Sequence, residues 1–116
     1  MKMKLSRAIR KGVKADGVQT FGELIDYDDN NNIVGCCTLG AAYIGALGLD
    51  GAKKWDRVGG DDPFITVLEK MVPVKDLPKG FNHYYGRDLA GVIISLNDKK
   101  GWSREKIATY LEKIGY

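Results

Sequence analysis

Two adjacent thiols and a single imidazole, Cys36, Cys37 and His83, are the side chains of this chain best equipped for covalent chemistry. Cys37 stands just before the apolar run Leu39-Gly40-Ala41-Ala42, at the start of an expected helix, where the partial positive charge of a first turn favours a thiolate. With His83 as its base, Cys37 would serve a small cysteine-dependent hydrolase or transferase. Nothing in the spacing brings residues 37 and 83 together, and a cysteine in front of such a helix more commonly fills space as a small hydrophobe. The two cysteines cannot bridge each other without straining the backbone, so they give no sign of an oxidising compartment.

A second group is the aromatic run Phe81-Asn82-His83-Tyr84-Tyr85-Gly86-Arg87. Aromatic rings and arginine are the types enriched where proteins bind proteins, so Phe81, His83, Tyr84, Tyr85 and Arg87 are the expected binding residues. The plainer alternative is a loop that covers the core. Asp26, Asp28 and Asn30 occupy the first ligand positions of an EF-hand-like loop, but Asn31 replaces its glycine and Cys37 its bidentate glutamate, so a hairpin turn is expected and no metal. Ser103 to Leu111 reads like the first helix of a helix-turn-helix with no recognition helix after it. Asn97 and Asp98, between two expected helices, suit backbone capping better than ligand binding. There is no phosphate-binding loop, dinucleotide fingerprint, zinc spacing or serine elbow, and no cofactor is expected.

These residues must be positioned by elements that the pattern makes mostly helical. Leu5, Ala8, Ile9, Gly12 and Val13 recur at helical spacing and predict a helix over 6–15. Thr20 and Glu23 have capping-box spacing, but Phe21, Leu24, Ile25 and Tyr27 fit a strand equally well. The run Asp28-Asp29-Asn30-Asn31-Asn32, with apolar residues on both sides, predicts a β-hairpin near 23–35. Residues 37–47 are small and apolar nearly all round and predict a helix buried on most of its surface, closed by Gly48. Residues 48–60 read as a loop anchored by Trp55, with at most one turn near 53–57. Asp61-Asp62-Pro63 opens an expected helix with Phe64, Val67, Leu68 and Met71 on its apolar face, and Pro73 stops it. Residues 74–85 read as an irregular segment held to the core by Phe81 and the tyrosines. Asp88 and Ser103 open the last two helices. The expected fold is one domain, mainly α, about five helices in a compact bundle with one small hairpin.

The bulk numbers narrow the setting. At 116 residues there is room for one core, and 44% hydrophobic with 28% charged residues marks an ordinary globular chain without a membrane span. The basic start leads into an amphipathic segment and not an apolar leader, so the cytoplasm is the expected location. Net charge is only +3, and although positions 4, 7, 11 and 14 share a helical face, nucleic-acid binders usually concentrate charge more strongly, so that partner is disfavoured.

The stretches Gly35-Cys36-Cys37-Thr38-Leu39-Gly40-Ala41-Ala42 and Ile94-Ser95-Leu96-Asn97-Asp98 through Trp102-Ser103-Arg104-Glu105, with the opening Met3-Lys4-Leu5-Ser6-Arg7-Ala8, resemble a family of small uncharacterised bacterial and bacteriophage proteins. That family pairs a Cys-Ala-Leu-Gly-Ala-Ala helix with a C-terminal helix pair. The resemblance covers the first and last thirds of the chain. It departs at Thr38, where the family has alanine, and it lacks a Cys-x-x-Cys pair carried by some members. It implies an intracellular helical domain and no particular activity. The expected function is a non-catalytic bacterial or phage accessory module that binds another protein or itself, leaning away from an enzyme.

Overall fold

The structure, a computed structural model, describes residues 3–81 and 85–116. Five helices and one two-stranded antiparallel hairpin are found among them, as the sequence pattern predicts. Helix α1 (Leu5–Ala15) buries Leu5, Ala8, Ile9 and Gly12 and leaves Lys4, Arg7, Lys11 and Lys14 exposed. This is the division that a 3.6-residue period imposes on alternating apolar and basic residues.

The hairpin pairs β1 (Ile25–Tyr27) with β2 (Ile33–Cys36), Ile25 opposite Cys36, with a bulge after Asp26. Its turn is closed from within: Asp28 Oδ1 accepts the N–H groups of Asn30 and Asn32, both at 2.9 Å, and Asn31 takes the left-handed φ of 68°. On its other side β2 is flanked by residues 18–20, running parallel. Cys36 N–H donates to Val18 O and Thr20 N–H to Cys36 O, both at 3.0 Å. Thr20 and Glu23 do not cap a helix; the Thr20 hydroxyl donates to Glu23 O and closes a turn.

Helix α2 (Thr38–Val58) is the central rod, with every residue from 38 to 45 buried. It can lie this deep because it meets α1 backbone to backbone. A Cβ on Gly12 would run into the Ala41 carbonyl, and one on Gly45 into the carbonyl of Ala8. Gly48, at φ 79° and ψ 169°, breaks the rod as expected, but the stretch beyond it is not the expected loop. The chain resumes as helix over 49–58, burying Ala52 and stacking Trp55 on Tyr43 with ring centroids 3.8 Å apart. Of the apolar side chains in that stretch only Ala52 and Trp55 pack on the core, too few to register as an apolar period.

Helix α3 (Ile65–Leu68) is a single turn, shorter than the helix expected from Asp61 to Pro73. Asp62 does act at its start, accepting from Phe64 N–H at 2.9 Å. Beyond Leu68 the backbone is claimed by another segment: Val72 N–H donates to Arg87 O and Leu89 N–H to Lys70 O, both at 2.8 Å, with Met71 bridged to Asp88. Met71, expected on the apolar face, is therefore exposed. One 3₁₀ turn (Val74–Asp76) comes next.

Helices α4 (Leu89–Asp98) and α5 (Arg104–Lys113) begin where their caps predict. Asp88 Oδ1 accepts from Gly91 N–H at 2.8 Å and Ser103 Oγ from Lys106 N–H at 3.1 Å. Leu89, Val92, Ile93 and Leu96 of α4 meet Ile107, Ala108 and Leu111 of α5 in one core with α1 and α2. At the α1 surface, Arg10 reaches Glu105 at 2.9 Å and Glu112 at 3.3 Å on α5. No helix among the described residues is long and apolar enough to cross a membrane.

Candidate functional site

The expected site residues fall in two places. Of the binding set, His83 and Tyr84 lie outside the described residues. Phe81 is half-buried against the core, Arg87 is half-buried, and Tyr85 is 46% exposed instead of holding its segment to the core. Two further exposed apolar side chains belong to the segments that the ladder between residues 70–72 and 87–89 pairs. Tyr85 lies two residues before Arg87, and Val74, 65% exposed, two after Val72, while Met71 is 59% exposed. Met71 lies within this ladder and Val74 and Tyr85 just beyond it, all three exposed, and Arg87 belongs to the same pairing.

Cys37 lies elsewhere, as the N-cap of α2, its sulfur accepting from Gly40 N–H at 3.5 Å. It borders a cleft of about 230 Å³ with Glu23, Leu24, Ile93, Asn97 and Asp98. The pairing with His83 lies outside the described residues. Burial pushes the Cys37 thiol above its ordinary pKa, outweighing the N–H groups of Gly40 and Leu39 that favour the thiolate. Burial likewise pushes Cys36 up to about 11, with the Arg104 cation opposing it. Both thiols are therefore expected to react with iodoacetamide more slowly in the native protein than in urea, Cys37 before the fully buried Cys36. Native Cys37 labelling at neutral pH as fast as in urea would instead restore the nucleophile.

The Asp26, Asp28 and Asn30 group works as the hairpin turn. Asp28 is held below the ordinary carboxylate pKa, first by the Asn32 backbone N–H. No cluster of His, Cys, Asp or Glu that could hold a metal is found among the described residues.

Two features escape the sequence reading. The first is a buried polar junction. Asn97 is buried at the end of α4, yet its side chain does more than cap. Its Oδ1 accepts from Thr38 N–H at 3.1 Å, the Thr38 hydroxyl at 2.8 Å and the Gln19 amide at 2.9 Å. Its Nδ2 donates to Thr20 O at 3.0 Å and to Asp98 Oδ1 at 2.7 Å. Nearby, Arg104 is only 4% exposed and donates from Nη1 to the carbonyls of Asp16, Val18 and Cys36 and to Cys36 Sγ. These two side chains tie residues 16–20, β2 and the head of α2 to the C-terminal helices.

The second is an open groove of about 600 Å³ between the start of α1, the end of the buried half of α2, residues 62–70 and Gly115 and Tyr116. Its floor is apolar and includes Leu5, Ala46, Phe64 and Val67, with Lys4 and Lys70 at its rim. Asp62 also borders it, but the carboxylate is engaged: it accepts the Tyr43 hydroxyl at 2.8 and 2.9 Å as well as Phe64 N–H.

Comparison with models of protein families, with curated proteins and with solved structures gives no match to this chain.

Proposed function

We propose that this domain is a non-catalytic accessory module that binds another protein or a second copy of itself. The observation that carries this reading is the exposure of Met71, Val74 and Tyr85 on and just beyond the paired segments that also carry Arg87. Exposed apolar surface marks sites of interaction, and Met, Tyr and Arg are among the types enriched there. Met71 and Arg87 are held by a short backbone ladder, so little ordering entropy is lost at that part of the surface when a partner docks. The cysteine-dependent alternative has less support, because burial works against a thiolate at Cys37. A bacterial or phage source and a cytoplasmic setting belong to the same proposal and rest on the resemblance of the Cys37 helix and the C-terminal helix pair.

The test pairs sedimentation velocity with affinity capture from the native host, on the wild type and on the Met71→Ser/Tyr85→Ser double variant. Both positions are exposed, so the variant should keep the wild-type thermal midpoint. Self-association or a specific captured protein should be present for the wild type and lost in the variant. A monomeric wild type that captures nothing beyond the tag control, or a partner retained by the variant, refutes the assignment.

A further inference from the structure

We propose that the groove at the start of α1, together with the basic outer face of that helix, is a second docking site whose occupant is an acidic polypeptide segment bearing apolar side chains. Charge and shape argue for it together. Lys4, Arg7, Lys11 and Lys14 project from one face of α1, all exposed, and none forms a salt bridge within the described residues. Arg10, on the flank towards α5, is the α1 cation that takes up the neighbouring acids Glu105 and Glu112. At 1.5 Å per residue, the row from Lys4 to Lys14 runs about 15 Å. Lys4 belongs both to this row and to the groove rim, so the cationic track leads straight into a depression floored by Leu5, Phe64 and Val67.

Each half of this surface excludes a different occupant. A small anionic amphiphile would fill the groove and engage Lys4 and Lys70, but would leave the rest of the row unused. A nucleic-acid backbone would answer the row, but has no side chain to place on an apolar floor, which phosphate contacts do not require. A polypeptide answers both, with apolar side chains anchored in the groove and carboxylates running along α1. The aspartate at the groove, Asp62, is turned onto Tyr43 and Phe64, where hydrogen bonds already engage its carboxylate. Such an occupant would bind with strong salt dependence, since exposed cations supply much of the attraction. This site uses neither Met71 nor Tyr85, and either proposal can fail without the other.

Random-peptide phage display on the immobilised wild-type protein decides the matter, followed by fluorescence anisotropy of the enriched peptides. A short duplex DNA serves as competing probe. The expected result is enrichment of peptides that combine Asp or Glu with large apolar residues. Their affinity should fall about tenfold in Lys4→Glu/Lys11→Glu and in Lys70→Glu, and weaken as salt is raised. Val67→Asp, with its fold checked by circular dichroism, should abolish binding at the floor; the surface lysine variants keep the test valid if it misfolds. Met71→Ser/Tyr85→Ser should leave these peptides bound. No enrichment, peptides without acidic character, affinities indifferent to the lysine variants, or tighter binding of the DNA by the same lysines would each overturn the proposal.

Discussion

Gly45→Ala is expected to lower stability by about 2 kcal/mol or more, although helix propensity alone predicts a gain of about 1 kcal/mol at an interior helical glycine. The sign is decided by the Ala8 carbonyl, which occupies the place a methyl group would take. Backbone cannot rotate out of the way as a side chain tip can, so α1 and α2 must separate, and the contacts of Leu5, Ala8 and Ile9 with the rod loosen together. Gly12→Ala meets the Ala41 carbonyl in the same manner. The double variant should cost less than the sum of the two, because the first methyl already opens the gap that the second needs. Gly17→Ala, with nothing within 4 Å of the added carbon, is the control and should change stability by less than about 0.5 kcal/mol. Urea denaturation measures all four, and in thermal scans Gly45→Ala should shift the midpoint down by on the order of 10 °C. A Gly45→Ala protein as stable as the wild type would mean that the helices do not touch at this point.

Asn97→Ala is expected to cost about 3 kcal/mol, at about 1–3 kcal/mol for each buried group left without a partner. The Thr38 amide and hydroxyl lose their acceptor and Thr20 O loses its donor, while the Gln19 amide keeps Trp102 O at 2.8 Å. Asn97→Asp separates acceptor from donor. It preserves the oxygen that Thr38 and Gln19 use, but sets a second carboxylate against Asp98, where Nδ2 now donates at 2.7 Å. The Thr38 and Gln19 donors favour the carboxylate, but burial and the like charge of Asp98 are expected to outweigh them and raise the pKa of the introduced group in the folded state above its unfolded value of about 4. The folded variant then binds more protons than the unfolded one. Its deficit against the wild type should be full at neutral pH and shrink as pH falls through that raised value. Equal deficits at neutral pH and at about pH 4.5 would show that the side chain amide, and not the charge, accounts for the loss.

What could be read from the residues, and what could not, depends on the range over which each signal acts. The Asp88 and Ser103 caps, the amphipathic period of α1 and the Asp28 turn are local, and the structure places all of them where the sequence does. The tail of α2 hides its helix because Trp55 is satisfied by Tyr43 on the other side of a glycine break. The expected helix after Pro63 is cut short because residues 70–72 pair with 87–89, a partnership that no local pattern announces. The same reason conceals the groove, whose floor gathers Leu5, Ala46 and Phe64 from three separate elements. Arg104 is the sharpest case. In sequence it is one more cation at the start of a surface-looking helix, and only the carbonyls of Asp16, Val18 and Cys36, gathered from distant segments, draw it inside. The Phe81–Arg87 run is legible by residue type, since Tyr85 is exposed there, but the exposure of Met71 and Val74, in and just beyond the segment it pairs with, is not.

The reach of the Asn97 and Arg104 hydrogen bonds bears on how the chain is made. Arg104 closes onto Asp16 across 88 residues, and Asn97 onto Thr38 across 59. A polypeptide leaving the ribosome has therefore released the head of α2 and its flanking strands long before the two side chains that fasten them are synthesised. Until then those amides and carbonyls are answered by water, and the nascent hairpin has edges open to other chains. Folding of this domain is thus tied to completion of its last helix, and ribosome-bound fragments that stop short of α5 should look to a chaperone like unfolded protein.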